Sequence, residues 1–305
     1  MGASNRLHTL TPKMLPPRSW DSHMHIIEPD KYPLAPNAPY KPKAHTLAEA
    51  MNFESSVGIP NIVLVQPSIY ALDNSCLLAA LKQLGPDRAR GVVSLDPKSI
   101  ASHTLTEWHD IGVRGVRLNF QSVGKRPSKD ELLATMKQYA AVIRPYDWVL
   151  QLYISLEFIP WLVDILPQLG VKVCFDHFGS PKLAVPVGGD NATDYSEFDP
   201  YTLPGFSGLI EALKQGNTYV KISAPYRLTP DPQFGKLREM AKEFIRVAHS
   251  KIVFATDWPH TRFDSVDIGP FIEACKDWCG GDQDLVEMLF QRNAEVLWGV
   301  EPAHS

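Results

Sequence analysis

The chain has 305 residues, of which 44% are hydrophobic and 21% charged, and its net charge is −4. That apolar content excludes disorder as the main state, and the mildly acidic balance excludes an electrostatic footprint for nucleic acid or an anionic membrane surface. No apolar run approaches the roughly 18 residues of a spanning helix, so no membrane partner is expected.

Residues 1–17 read as a short arm that ends at Pro16-Pro17, without the apolar h-region of a secretory peptide. The cysteines are Cys76, Cys174, Cys275 and Cys279, and no second Cys/His pair accompanies the last two. Disulfides and a zinc site are therefore not expected, and the compartment expected is the cytoplasm. Residues 18–305 are long enough for one barrel domain.

Strands are expected near Trp20–Ile26, Asn61–Gln66, Gly91–Leu95, Gly115–Phe120, Trp148–Ile154, Lys172–His177, Thr218–Ser223 and Ile252–Asp257. Between them, Thr46–Val57, Asn74–Leu84, Lys129–Ile143, Glu157–Leu166, Ser207–Lys214 and Phe234–His249 repeat apolar residues at helical steps. Strand and helix in alternation mean parallel strands joined by right-handed crossovers. Eight such units in this length predict an α/β fold, a closed (β/α)8 TIM barrel. An open doubly wound sheet is the alternative, weakened because no G-x-G-x-x-G follows the first strand. A Pro- and Gly-rich stretch at about 180–205 reads as a long loop, either a lid or a surface insertion.

Barrel strands are buried on both faces, so polar residues near their C-terminal ends need a reason. His23 and His25 stand two apart at the end of the first strand and share a face. His177 ends the sixth strand and Asp257 the eighth. In a barrel all these ends converge at the catalytic mouth, which brings three imidazoles and one carboxylate together. Arg117 and Asn119 share a face of the fourth strand, and Gln151 and Tyr153 a face of the fifth; Ser68 follows the second and Arg227 the seventh. A guanidinium cannot shed its charge, so Arg117 needs an anion: a structural Asp or a substrate carboxylate. Arg227, Arg126 and Lys125 are further cations for an anionic ligand.

Asp-x-His-x-His on the first strand, Asp176-His177-Phe178-Gly179 on the sixth and Thr256-Asp257-Trp258-Pro259-His260 on the eighth resemble the amidohydrolase superfamily. Gly112 to Phe120 and Lys221 to Leu228 add a likeness to its lactonase branch, which includes the pyrone-dicarboxylate hydrolases; the likeness runs from about Trp20 to Trp298. The resemblance implies an amidohydrolase-like barrel that opens a carboxylated lactone or pyrone ring. Asp257 would be the general base, and His23, His25 and His177 would polarise the ring carbonyl. Arg117, Tyr153 and Arg227 would hold carboxylates, with Ser68 beside them. The loop after the fourth strand departs from the family pattern, so either Arg126 or Lys125 would complete the clamp.

His23, His25, His177 and Asp257 could also ligate one divalent ion, zinc or manganese. The fourth and fifth strands offer Arg117, Asn119, Gln151 and Tyr153, none a good ligand, so no metal or other cofactor is expected. The expected partner is a small anionic dicarboxylate, bound by a monomer or homodimer. The alternatives are a metal-dependent decarboxylase of the same superfamily, a sugar-lactone hydrolase or isomerase, and a binder without activity. For Asp257 to act as base near neutral pH, burial would have to raise its pKa.

Overall fold

The β-branched runs form one sheet of eight parallel strands in sequential order. They are β1 (Trp20–Met24), β2 (Asn61–Val65), β3 (Ala89–Val93), β4 (Val113–Asn119), β5 (Val149–Tyr153), β6 (Val173–Phe175), β7 (Thr218–Ile222) and β8 (Ile252–Phe254). The structure is a computed structural model and describes residues 14–183 and 198–300. Most of the N-terminal arm and the middle of the long loop at about 180–205 lie outside the described residues. The barrel closes just beyond β8, where the Asp257 N–H donates to the His23 carbonyl at 3.0 Å and the His25 N–H to the Trp258 carbonyl at 2.9 Å.

Helices cover the outside. They include α1 (Leu47–Val57), α2 (Ser75–Leu84), α3 (Ser102–Asp110), α4 (Lys129–Ile143), α5 (Phe206–Lys214), α6 (Pro225–Leu228), α7 (Gly235–Ala248) and α8 (Gly269–Trp278). Thr46 and Ser128 start α1 and α4 with full capping boxes to Glu49 and Glu131, so the first turns lose no hydrogen bonds. The expected helix at Glu157–Leu166 is instead a pair of 3₁₀ segments, Leu156–Trp161 and Leu166–Gln168. Pro160 and Pro167 lie within them, and each removes an N–H that an α-helical ladder needs. That irregular crossover packs against Gly205, whose φ is +94° and where an added Cβ would lie 2.0 Å from the Leu156 carbonyl oxygen.

The barrel interior is layered by the two-residue strand period. Trp20, Val63, Val65, Val92, Val149, Cys174, Tyr219 and Val253 form an apolar floor. From the C-terminal segment, Trp298 plugs this floor, its indole Nε1 donating to Ser22 Oγ at 3.2 Å. One layer up, the inward positions turn polar at Arg117, Gln151, Asp176 and Lys221, all buried. The register of β1 against β2 slips between Asp21 and Met24, three steps on one strand against two on the other. Such a bulge re-aims side chains. Met24 joins the outer core, and Asp21 turns to Thr256, away from the two histidines that follow it.

Trp298→Ala removes the plug and opens a cavity under the site. It is expected to cost about 3–5 kcal/mol of unfolding free energy. Chemical denaturation measures this, and an unchanged midpoint would show that the floor does not need the plug.

Candidate active site

Asp257 sits at the centre of the mouth. It is 1% exposed, and its backbone is in the left-handed region at φ +64°. Its Oδ1 faces His23 Nε2 at 3.6 Å, His25 Nε2 at 3.7 Å and His177 Nε2 at 3.9 Å. Its Oδ2 accepts from Arg227 Nε at 2.6 Å and from the Tyr226 hydroxyl at 2.6 Å. One carboxylate oxygen is thus taken by the protein and the other is turned toward the three imidazoles.

Each imidazole is oriented through its other nitrogen. His25 Nδ1 lies 2.7 Å from the Val65 carbonyl oxygen. A carbonyl only accepts, so Nδ1 carries the proton, and in the neutral ring Nε2 presents a lone pair to the site. His177 Nδ1 pairs with Ser223 Oγ at 2.8 Å. His23 Nδ1 lies 3.1 Å from Lys221 Nζ. Two groups compete for Nδ1: Lys221 in its charged form donates to it and favours the His23 proton on Nε2, whereas Asp176 Oδ1, 3.2 Å away, would accept a proton held on Nδ1. His23 Nε2 is buried and makes no hydrogen bond among the described residues.

Beneath this layer Asp176 binds the cations together. Its Oδ2 accepts from Arg117 Nε and Nη2, both at 3.2 Å, and from Gln151 Nε2 at 3.1 Å. Its Oδ1 lies 3.3 Å from Lys221 Nζ and 3.2 Å from His23 Nδ1. The anion that Arg117 requires is therefore present in the chain as a structural Asp. Burial alone would raise the Asp176 carboxyl, but Lys221, His23 and Arg117 overcome it and hold the group well below the ordinary range.

The same competition governs Asp257. Burial pushes its carboxyl upward, yet Arg227 and the three imidazoles prevail and hold it well below the carboxylate range. The expected upward shift is thereby reversed, because an ion pair at 2.6 Å outweighs desolvation. Burial also keeps the rings neutral: His25 and His177 fall to about 4, and so does His260 beside them. On the far side of β1, burial raises Glu54 well above its ordinary value and also raises Asp21. Asp21 still accepts from the His23 and Thr256 N–H groups, at 2.9 and 3.0 Å.

The cavity over Asp257 is lined by His25, His177, Ser68, Tyr153, Arg117 and Arg227, all of them marked by the sequence. Tyr153 lies under the Arg117 guanidinium at 5.4 Å and meets the His177 ring edge-on at 4.9 Å. Arg126 is placed elsewhere: its guanidinium is 2.7 Å from Glu157 at the surface. Lys125 borders a neighbouring cavity of about 510 Å3 that shares Ser68 and Arg117 with the site. The sequence reading assigned no role to Lys221, Asp176, Tyr226, Tyr40 or Arg262. The first two were detectable, since both stand at inward positions of strands among apolar residues.

In distance, His23, His25 and Asp257 lie close enough together to hold a divalent ion. In charge they are a poor fit. Lys221 contacts His23 and Arg227 contacts Asp257, so two of the three ligands already face a fixed cation.

With this geometry in place, the comparisons with known proteins agree. The amidohydrolase family model matches residues 20–300. The 4-sulfomuconolactone hydrolase of Hydrogenophaga intermedia is 27% identical over 279 residues, covering 90% of this chain and 82% of its own. The 2-pyrone-4,6-dicarboxylate hydrolase of Comamonas testosteroni is 28% identical over 258 residues, covering 81% and 78%. A candidate 2-pyrone-4,6-dicarboxylic acid hydrolase from Pseudomonas putida superposes with a TM-score of 0.76 at 28% identity, over 94% of this chain and 100% of that one. No helix among the described residues is long and apolar enough to cross a membrane.

The buried imidazoles also set a pH dependence. A free imidazole titrates near about 6.5, whereas His25, His177 and His260 do so at about 4 in the fold. Between those values the unfolded chain takes up protons that the folded chain refuses, so their stabilisation is full above the upper value and is lost as pH falls through the window. The melting temperature is expected to decline steadily over that interval, and a flat profile in thermal scans would refute neutral burial of these rings. The chain belongs to the amidohydrolase family.

Proposed function

We propose that the chain hydrolyses a carboxylated lactone or pyrone. The observation that carries this reading is the division of hydrogen-bonding roles around Asp257. His25 Nε2 and Asp257 Oδ1, 3.7 Å apart, are both acceptors and suit the two protons of an attacking water. In the tautomer that Lys221 favours, His23 Nε2–H, buried and without a partner among the described residues, suits the ring carbonyl oxygen as charge builds on it. This refines the expectation that all three imidazoles polarise the carbonyl: neutral His25 has no proton to give there.

In the proposed step the water oxygen bonds to the acyl carbon and its proton passes to Asp257. The ring C–O bond then breaks, and the proton moves on to the departing ring oxygen. The low pKa of Asp257 makes it a weak base at rest. Proton uptake becomes easier as negative charge builds on the tetrahedral oxyanion nearby and competes for Arg227, the residue 2.6 Å from Asp257. Arg117 and Tyr153 border the same cavity and are suited to orient a substrate carboxylate. The relatives named above are hydrolases of a sulfomuconolactone and of a pyrone dicarboxylate, which supports a ring of this class.

The reading requires no resident metal, because fixed cations already face His23 and Asp257. An ultraviolet assay on a panel of pyrone and muconolactone carboxylates, with and without chelator, tests both parts. Turnover is expected to survive chelation; loss restored by zinc or manganese would replace the metal-free scheme. Asp257→Asn is expected to lower kcat roughly 10²- to 10⁴-fold with binding largely kept. Normal turnover by that variant would remove Asp257 as the base.

A further inference from the structure

The cations expected to clamp substrate are mostly committed inside the protein. Arg117 is held by Asp176 at 3.2 Å, Arg227 by Asp257 at 2.6 Å, and Arg126 by Glu157 at 2.7 Å. Among the described residues, Arg262 is the arginine lining the catalytic cavity that has no carboxylate partner. It is exposed, its guanidinium lies 5.1 Å over the Tyr40 ring, and its backbone is in the left-handed region at φ +71°. Non-glycine residues held there cluster at functional sites; Asp257 and His260 on the same loop share the feature.

Arg262, Tyr40 and Thr261 also line a second cavity of about 340 Å3, between the 40–45 segment and the loop after β8. Lys41 and Lys43 border it, with Asp264 as the one acid. The Lys43–Asp264 contact is 3.7 Å between side chains 85% and 94% exposed, so water screens it and the cavity stays cationic. The other flanking cavity, of about 510 Å3, carries Arg117 and Lys125 and no acid, but Asp176 already holds Arg117, and Leu72, Leu95, Phe120 and Val123 give it apolar walls. Of the two flanking cavities, the one beside Arg262 is the more suited to an anion.

We propose that Arg262 and the cavity beside it form the subsite for an anionic substituent of the substrate, a carboxylate or sulfonate carried on an arm away from the reacting ring carbonyl. The planar guanidinium binds such a group bidentately while Tyr40 supports its other face. Arg262 is therefore a specificity-determining residue, in addition to Arg117 and Tyr153 at the same cavity. This inference rests on the lactone-hydrolase reading above.

The test compares muconolactone, whose ring carries a carboxymethyl arm, with its methyl ester, which keeps the ring and removes the charge. The wild-type chain is expected to prefer the acid. In Arg262→Gln that preference in kcat/KM should shrink by roughly tenfold to hundredfold, mainly through the KM of the acid, with the ester affected far less than the acid. Arg262→Lys should fall between them. An unaltered acid-to-ester ratio in Arg262→Gln overturns the subsite. Should nothing in the lactone panel turn over, calorimetric titration with glutarate separates the two claims. Binding by wild type that weakens at least about tenfold in Arg262→Gln keeps the subsite and removes the lactonase reading. Equal or absent binding in both proteins removes the subsite as well.

Discussion

The site depends on the seam where β8 meets β1. Asp21 accepts from the backbone N–H groups of His23 and Thr256 and from the Thr256 hydroxyl. The next residue, Asp257, donates its own N–H to the His23 carbonyl. The hydrogen bonds that close the barrel therefore run through the residues of the candidate site. An error in that closure would move the Asp257 carboxylate and the His23 ring relative to each other. Burial raises the Glu54 carboxyl well above its ordinary value, so the outer side of the seam avoids placing two bare carboxylates together.

Charge below the mouth is arranged in opposed pairs. Asp176 faces Arg117 and Lys221, and Asp257 faces Arg227. Buried ion pairs contribute little net stability, because desolvation cancels much of their attraction, but losing one partner strands the other at high cost. Their value here is orientation. Arg117 fixes Asp176, Asp176 holds Lys221, both Asp176 and Lys221 hold His23 by its Nδ1, and Arg227 turns one oxygen of Asp257 away from the rings. The side chains at the mouth are thus held in place by fixed partners, a form of preorganisation that suits chemistry in a dry pocket.

The barrel was legible because it rests on short-range regularities. The two-residue strand period paired His23 with His25, Arg117 with Asn119 and Gln151 with Tyr153; His23, His25, Arg117, Gln151 and Tyr153 do meet at the mouth, whereas Asn119 borders the neighbouring cavity. The same rule, applied to Lys221 in Thr218–Ile222 and to Asp176 two residues after Cys174, would have marked both of them. The crossover after β5 was misread because its apolar spacing suits a helix while Pro160 and Pro167 forbid one. Arg126 resembled a clamp residue only by its place in the chain; the Glu157 that pairs with it lies 31 residues on, in another loop.

By itself the sequence determined the fold class and part of the mouth, His23, His25, His177, Asp257, Arg117, Tyr153 and Arg227, since strand periodicity and chain order depend only on neighbouring residues. Tertiary structure decided the states of those groups. Whether Arg117 meets a substrate or Asp176, whether burial raises Asp257 or Arg227 lowers it, and which nitrogen of His25 bears the proton all depend on atoms brought together from distant parts of the chain. Electrostatic and hydrogen-bond energies change steeply over a few tenths of an ångström, and no linear pattern records such distances.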